Sequence, residues 1–436
     1  MKMSRTLTSV LVFFAAAGLT QARANTDESG DANAFIQRGF EKHIKGDQDA
    51  AIADFNTALK LAPGNLEAYY DRGNAETAKD DFNSAIADYT KAAELYASGP
   101  ELDHPKRTNV YMARANARHL KRDDEGAIED YSKVIELDPK NVKAYFQLAD
   151  LHALKRDYSA AIEDYTKVMV LNPENSPAHY GRGSAEDAND NHDAAILDFE
   201  KAIALDPANA AIYVSRAEAK VSMGDRAGAL ADFDKAIVLD PQSALDYVFR
   251  GRAKRSFDDD DGAVADYTMA LSLDPHNALA YAYRASVRYD QQAWKQALED
   301  YRKVCTLTPN HQDYARLRVW LIRARTGERP QADAELSQYL SDKTVARQEW
   351  LADIGRFLLV KANDSDMLSK AIASSGAKSD PGREAVVYYF AGTKRLIDGD
   401  TPSATKMLKE SVATERKGKQ SYRSALFELK RLMKAH

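Results

Sequence analysis

The sequence AIEDYSKVIELDPKN, from Ala127 to Asn141, is written again 34 residues later as AIEDYTKVMVLNPEN, from Ala161 to Asn175. A fixed period of this length indicates an array of similar supersecondary units rather than one compact core. The same phase fits eight units, with one interruption at residues 100–107. The units are residues 32–65, 66–99, 108–141, 142–175, 176–209, 210–243, 244–277 and 278–311.

Small and aromatic residues recur at fixed places, which we count from one within each unit. Place eight is Gly or Ala and place twenty is Ala in every unit, and place twenty-four is always Phe or Tyr. Apolar residues three and four apart indicate helices. A break near place fifteen, as at Gly46 and Gly224, and a proline at place thirty-two, as at Pro139 and Pro173, end those helices. Each unit is therefore predicted to be an antiparallel helical hairpin that buries its apolar face against its neighbours.

These features together resemble the tetratricopeptide repeat, or TPR. The resemblance lies in the period, the small residues at places eight, twenty and twenty-seven, the ring at place twenty-four and the proline at place thirty-two. Place four carries Tyr or Phe in most units, where the family usually has Trp. The resemblance implies an all-α fold, an α-solenoid in which the hairpins stack into a right-handed superhelix. It also implies a non-enzymatic scaffold that binds other proteins on a concave face lined by the first helices.

An acid and a base recur at matching places. Place twenty-three is Asp in all eight units, and place seven is Arg in seven, with Leu148 as the exception. A catalytic acid is needed once in one cleft, so an acid that is repeated eight times indicates a structural role. We predict ion pairs between first and second helices, within a unit or between adjacent units. The residues predicted to form them include Arg72, Asp88, Arg114, Asp130, Asp164, Arg182 and Asp198.

A partner groove is predicted at places five and nine of the first helices. Apolar and aromatic residues at place five, flanked by amides at place nine, suit an extended peptide or a partner helix. The alternative is that place-five residues pack against the next unit. Apolar residues at place five also argue against the carboxylate-clamp class of TPR, which needs Lys there. The predicted groove residues are Ile36, Phe40, Tyr70, Asn74, Met112, Asn116, Phe146, Asp150, Tyr180 and Ser184.

The N-terminal residues have the pattern of a cleavable signal peptide. Lys2 and Arg5 precede an apolar run over residues 7–19, and Ala22 and Ala24 are the small residues that a signal peptidase requires. The run is shorter than the roughly 20 residues needed to span a bilayer, which disfavours a membrane anchor. We expect cleavage after Ala24, a linker over residues 25–31, and a periplasmic or secreted protein without membrane insertion.

Composition excludes several function classes. The net charge is −6, and an acidic surface disfavours nucleic acid as a partner. Cys305 is the only cysteine, so the chain has no internal disulfide and no Cys-rich zinc site. The histidines have no paired metal-ligand spacing, and there is no glycine-rich phosphate loop. We therefore predict no metal, no cofactor and no catalytic residues.

Residues 312–436 continue as helices with a degenerate repeat and a final amphipathic helix near 421–434 that is expected to cap the array. This region resembles, more weakly, the C-terminal part of NlpI-type TPR proteins of the bacterial envelope. That resemblance implies an adaptor that docks proteases and cell-wall hydrolases. No cysteine follows Ala24, unlike in the lipid-anchored members. Two alternatives stay open: a hydrolase or metal-dependent enzyme using the C-terminal region, and a self-assembling solenoid of undetermined oligomeric state.

Overall fold

The computed structural model describes residues 31–97, 104–309, 312–342, 348–360, 365–374, 381–413 and 420–434. Within these ranges it contains 23 α-helices and no strand, which confirms the predicted all-α fold. The predicted signal peptide and residues 25–30 of the predicted linker lie outside the described residues. None of the described helices combines the length and the apolarity that crossing a bilayer requires.

The chain divides into two compact units, residues 1–205 and 206–436. Unit 1 contains ten helices, which form five hairpins stacked as an α-solenoid. They are α1 (Ala32–Ile44), α2 (Gln48–Leu61), α3 (Leu66–Ala78), α4 (Phe82–Ala97), α5 (His104–Leu120), α6 (Asp124–Leu137), α7 (Val142–Leu154), α8 (Tyr158–Leu171), α9 (Ser176–Ala188) and α10 (His192–Leu205).

Unit 2 contains three further regular hairpins and the less regular C-terminal helices. Its helices are α11 (Ala210–Met223), α12 (Arg226–Leu239), α13 (Ala244–Ser256), α14 (Asp260–Leu273), α15 (Ala278–Asp290), α16 (Trp294–Leu307), α17 (Asp313–Arg325), α18 (Arg329–Ser341), α19 (Glu349–Leu359), α20 (Ser365–Ser374), α21 (Pro381–Ile397), α22 (Thr401–Ala413) and α23 (Gln420–Lys434).

The turn inside each regular hairpin has one conformation. Place fifteen has a positive φ in all eight repeats, from 59° at Gln292 to 85° at Gly46. Gly327 and Gly399 have φ values of 86° and 87° at the corresponding turns of α17–α18 and α21–α22. Only two of the eight regular turns use glycine, so most repeats place a non-glycine residue in a conformation that glycine adopts more easily. The stacked helices keep these turns in place.

The interior of each hairpin is built from the small and aromatic places. Ala127 and Ala161 at place twenty are fully buried, and so are the rings at place twenty-four, such as Tyr89 and Phe199. A Cβ atom added at Gly73 would lie 2.7 Å from Cε1 of Tyr89. Glycine at place eight therefore lets the first helix approach the ring of the second.

Candidate functional site

The predicted groove residues lie on the first helices of unit 1, where places five and nine share one side of each helix. First helices of neighbouring repeats contact each other, as α1 contacts α3 and α3 contacts α5. We call the ten predicted groove residues, together with Asp71 at place six, the unit 1 face. Ile36 differs from the prediction: it is only 6% exposed and packs into the core with Phe55, so it offers no surface to a partner.

Aromatic side chains at place five stand on the rings of the second helix. The ring centroids of Tyr70 and Tyr89 are 5.9 Å apart, and those of Phe146 and Tyr165 are 5.7 Å apart. Tyr180 and Phe199 make the same pair at 6.0 Å. The inner ring of each pair is buried and the outer ring is half-buried. These pairs hold three outer rings in fixed positions with one side accessible, an arrangement that suits contact with an apolar side chain.

Side chains at place nine accept hydrogen bonds from tyrosines at place twenty-four of the second helices. The hydroxyl of Tyr89 donates a hydrogen bond to Oδ1 of Asn74 at 2.8 Å, and Tyr131 donates to Oδ1 of Asn116 at 2.6 Å. Tyr165 donates to a carboxylate oxygen of Asp150 at 2.5 Å. Each bond takes one of the two lone pairs of its amide oxygen and fixes the orientation of the amide, and Asn74 also hydrogen-bonds with Tyr70. The oriented NH₂ groups can donate to a backbone carbonyl of a partner.

The two ends of the unit 1 face lack this arrangement. Phe40 takes place nine in the first repeat and is 42% exposed, without a polar group. In the fifth repeat the hydroxyl of Ser184 donates to the carbonyl of Tyr180 in its own helix at 2.9 Å. Met112 in the middle of the face is half-buried. The combination of an accessible ring and an oriented polar group is thus confined to the central repeats.

Asp71 is an acid on this face. It follows Tyr70 on α3, is half-buried, and has no ion-pair partner among the described residues. Burial, with a smaller contribution from the negative charge of Glu67, raises the pKa of Asp71 to about 7. A carboxyl that is desolvated without a counter-charge is costly when ionised, and such groups occur mostly at sites of interaction or chemistry.

The acids at place twenty-three differ from Asp71 in having basic partners. Seven of the eight are buried between the two helices of their own hairpin, and each of these seven accepts two hydrogen bonds from the arginine at place seven. Nε of Arg114 donates to Asp130 at 2.9 Å and Nη2 donates to it at 2.7 Å. Arg72 pairs in the same way with Asp88, and Arg182 pairs with Asp198. Of the two geometries left open by the sequence, the pairs within a unit are present.

Sequence reasoning missed a second base that joins these pairs. Place eleven holds Lys, Arg or His in six of the eight repeats, and this base contacts the same carboxylate. Lys42 lies 2.6 Å from Asp54, and Arg118 donates to Asp130 at 3.0 Å. Arg38, and then Lys42, holds the pKa of Asp54 below its usual range. The recurrence at place eleven was visible in the sequence at four residues after the arginine, on the same side of the helix. The six bases are Lys42, Arg118, His152, Lys220, Lys254 and Arg288.

Three repeats of unit 1 depart from this pattern, the fifth because Glu186 takes place eleven. Leu148 replaces the arginine of the fourth repeat, so Asp164 was predicted to pair but has His152 as its partner, at 2.9 Å between Nδ1 and the carboxylate. Burial raises the pKa of Asp164. In the second repeat Glu76 stands where the second base would be, and burial, followed by the charge of Asp88, raises its pKa to about 7.

In unit 2, α23 contacts the first-helix side at α15 and at the end of α13. Ser424 on α23 donates to Asp290 on α15 at 2.7 Å, and Arg255 on α13 donates to the same carboxylate at 2.6 Å. Arg423 contacts the carbonyl of Arg255.

Helix α23 contacts α15, α21 and α22. It buries the apolar Ala425 and Leu429 in the core of unit 2 and the polar Ser424 and Glu428 beside them. Whether it caps the array stays a prediction.

Arg318 on α17 is the centre of that contact. It is fully buried, and its guanidinium donates to the hydroxyls of Tyr314 at 2.7 Å, Tyr389 at 2.6 Å and Ser424 at 3.2 Å. The rings of Tyr289 and Tyr389 lie 4.7 and 4.5 Å from its Cζ atom. Buried charge of this kind is stable only when it is fully hydrogen-bonded, so Arg318 ties α23 to the rest of unit 2.

The C-terminal region was the place considered for enzymatic chemistry. Cys305 is buried, and burial raises the pKa of its thiol to about 11, which keeps it protonated at neutral pH. Among the described residues no group of three or more His, Cys, Asp and Glu side chains could hold a metal ion. The buried charges there bind each other, as Arg325 does with Glu428.

Family models match three stretches of the chain. The model described as TPR repeat matches residues 115–155, and the model described as tetratricopeptide repeat matches residues 45–100 and 146–210. No curated protein sequence matches the chain.

Solved structures similar to this chain include MamA, which is 31% identical. The match covers 39% of this chain and 93% of MamA, with a TM-score of 0.37. The C-terminal part of a TPR repeat-containing protein from Cytophaga hutchinsonii is 18% identical over 57% of this chain and 98% of its own, with a TM-score of 0.49. YrrB, described as a TPR protein with an unusual peptide-binding site, is 21% identical over 42% of this chain and 95% of its own, with a TM-score of 0.35.

The family models match inside the run of eight repeats, all eight share one turn conformation, and seven share the Arg–Asp pair between their helices. The chain belongs to the tetratricopeptide repeat family.

Proposed function

We propose that this protein is a non-enzymatic scaffold whose unit 1 face binds segments of other proteins. The observation that carries the proposal is the repeated arrangement of a half-buried ring and an oriented polar group on α3 and α7, with an oriented amide on α5 between them. Repeat proteins use such faces for extended contacts with partners. Fixed rings and fixed donors also lose little conformational entropy on binding, which favours affinity.

We propose the bacterial cell envelope as the location. The predicted signal peptide and the resemblance of residues 312–436 to NlpI-type proteins support it. Under this proposal the partners include envelope proteases or cell-wall hydrolases, which the scaffold holds in place. Cell fractionation of a strain that expresses the tagged full chain tests the location, and N-terminal sequencing of the fractionated protein tests cleavage after Ala24.

The binding face can be tested by site-specific crosslinking. A photo-crosslinking amino acid replaces Phe40 or Tyr180 on the unit 1 face, and Val170 on α8 in the control, since Val170 is 72% exposed on a second helix. We expect protein adducts from the envelope fraction at the first two positions and none at the third. Partners that crosslink equally at all three positions, or only at Val170, would contradict the proposal.

Mutation gives an independent test. Tyr70→Ala combined with Asn74→Ala removes one ring and one donor while the inner ring, Tyr89, stays in the core. Capture of the crosslinked partner should fall at least tenfold. The substitutions also remove packing on Tyr89 and one acceptor of its hydroxyl, which keeps Thr77 as a partner, so capture is compared at a temperature where both proteins are folded. A matched double variant on second helices, Leu197→Ala with Val170→Ala, removes exposed side chains and should leave capture unchanged.

A further inference from the structure

Two sets of carboxylates in unit 1 have contrasting surroundings. Those at place twenty-three lie between helices and are paired with arginine, lysine or histidine. The others lie at places two, six and nine of first helices and are Glu67 and Asp71 on α3 and Asp150 on α7. Glu67 and Asp150 are exposed, Asp71 is half-buried, and none of the three has an ion-pair partner among the described residues. The side that carries the oriented rings and amides is therefore also the side whose negative charge is unpaired.

The bases near this side offset only part of its charge. Lys143 at place two of α7 is exposed and lies on the side of Asp150, which leaves an excess of two negative charges when Glu67, Asp71 and Asp150 are all ionised. His119 on α5 is the base whose charge acts on Asp150, but its Nδ1 is engaged by Asp124 at 2.7 Å. The inter-helix bases, such as Arg114 and Arg118, are directed to Asp130. An acidic segment or a nucleic acid is thus disfavoured here, and a cationic group is favoured.

The setting of Asp71 makes it the strongest of the three positions for a cation. Its neighbour Tyr70 stands on Tyr89, so the carboxylate lies beside an aromatic pair rather than in open solvent. A guanidinium or ammonium group placed there gains a charge-assisted hydrogen bond together with contact to a ring. It also gives a counter-charge to a carboxyl that the fold leaves without one.

Spacing sets the form of the ligand. Packed helices lie about 8–10 Å apart, so Asp71 on α3 and Asp150 on α7 are roughly 20 Å apart with α5 between them. An extended chain covers that distance in about six residues. Met112 and Asn116 on α5 lie between the acids and offer an apolar contact and an amide donor.

We propose that the unit 1 face takes an extended protein segment with two basic side chains about six residues apart and an apolar side chain between them. The basic side chains bind Asp71 and Asp150, and the apolar one contacts Met112 and the outer rings. Asn116 donates to a backbone carbonyl of the segment. This inference rests on the proposed function and adds the chemistry of the partner to it.

The test uses the full chain and two fluorescently labelled peptides. One has two lysines about six residues apart with a leucine midway, and the other has the same sequence with glutamate in place of both lysines. Binding is measured by fluorescence anisotropy at low and high salt. Salt screens ion pairs near the surface, so affinity that depends on them should fall at high salt. The protein variants are Asp71→Asn with Asp150→Asn, and the charge-matched control Glu94→Gln with Glu136→Gln on second helices.

We expect the lysine peptide to bind at least tenfold more tightly than the glutamate peptide, and the Asp71→Asn, Asp150→Asn variant to lose that difference. The control variant should bind as the original protein does. A lysine peptide with norleucine at one basic position should lose sensitivity to one of the two asparagine substitutions, which identifies the pairing.

Equal affinity for both peptides, or no binding of the lysine peptide at millimolar protein, overturns the inference. The proposed function can fail separately. If Tyr70→Ala with Asn74→Ala abolishes capture of cellular partners while the two asparagine substitutions do not affect it, the face binds proteins and only its preference for basic segments is wrong. If neither pair of substitutions affects capture, the unit 1 face is not the binding surface.

Discussion

The first-helix side of the repeats has opposite surroundings in the two units. In unit 1, Asp150 at place nine is exposed and Asn74 and Asn116 are half-buried. In unit 2, Ser286 at place nine of α15 is fully buried, and α15 is a helix that α23 contacts. Place nine therefore belongs to an open surface in unit 1 and to an internal contact at α15 of unit 2, whereas Arg252 on α13 stays exposed.

The charges differ in the same way. Asp290 at place thirteen of α15 is bonded to Arg255 and to Ser424, whereas Asp71 in unit 1 has no base beside it. In unit 2, Ser424 of α23 provides a hydrogen-bond donor to the first-helix side at α15. This teaches that the side can hold a helix through hydrogen bonds and ion pairs, and that unit 1 lacks such a helix within its described residues.

Among the proposed substitutions, Arg318→Ala is expected to reduce stability most. The substitution removes a buried cation, leaves the hydroxyls of Tyr314 and Tyr389 without their donor, and opens a cavity. We expect unit 2 to lose about 3–5 kcal/mol of stability. Hydrogen exchange should accelerate across α23 and α17 while α1–α10 keep their protection.

The control for Arg318 is Arg302→Ala. The Arg302 side chain is 46% exposed and its contact with Glu335 is 3.9 Å long, so its loss should change stability by less than about 1 kcal/mol. Unchanged exchange of α23 in the Arg318→Ala protein would mean that the polar contacts do not hold this helix, and the contrast between the units would lose its basis.

The next largest loss of stability is expected at Asp130, and it should differ from the loss at Asp164. Asp130→Asn leaves Arg114 and Arg118 without a counter-charge and should cost about 2–3 kcal/mol. Asp164→Asn should cost less than about 0.5 kcal/mol at pH 8, because Asp164 has only His152 and burial already raises its pKa. Urea unfolding of both variants measures the difference. Equal losses would show that the arginine at place seven contributes little.

Much of this molecule could be predicted from the recurrence of residues. The small residue at place eight, the ring at place twenty-four and the proline at place thirty-two report contacts within one hairpin or with the next, so a period in the sequence reveals them. The Arg72 to Asp88 pair follows from the same logic, since both places repeat. Place eleven was visible in the same way and was missed because it alternates between Lys, Arg and His, with Glu76 and Glu186 as exceptions.

Other features could not be predicted because they depend on contacts that do not repeat. Arg318 and Ser424 are 106 residues apart, and neither position belongs to the periodic pattern. The basic and apolar residues of α23 are compatible with two positions, at the end of the array or against the first-helix side of α15. The burial of Ile36 likewise depends on α2, and the half-buried state of Asp71 depends on the rings around it.

A smaller effect is expected at Glu76. Its raised pKa means that the ionised side chain disfavours the folded state, and this cost is absent below about pH 4, grows as pH rises and is complete above about pH 7. Glu76→Lys removes the cost and supplies Asp88 with the second base present in six other repeats. We expect a gain of about 1–2 kcal/mol at pH 8 and a smaller gain at pH 5. Glu76→Gln isolates the first contribution, and a loss of stability in both variants would contradict the role assigned to place eleven.

The smallest effect, Asp71→Asn, bears most directly on the contrast between the units. The pKa of Asp71 is about 7 in the folded chain and near the ordinary value of about 4 in the unfolded chain, so its carboxyl is protonated in both states below pH 4 and disfavours folding increasingly above it. Because the side chain is partly solvated, we expect Asp71→Asn to stabilise the protein by about 1 kcal/mol at pH 8 and not at pH 4, as measured by thermal unfolding at both values. Asp290→Asn in unit 2 is the matched substitution. Burial raises the pKa of Asp290 as well, but its loss leaves the buried guanidinium of Arg255 without a counter-charge, and we expect this larger cost to destabilise the protein at pH 8. A gain at Asp71 with a loss at Asp290 would show that unit 1 keeps, at a cost in stability, a charge that unit 2 has already paired.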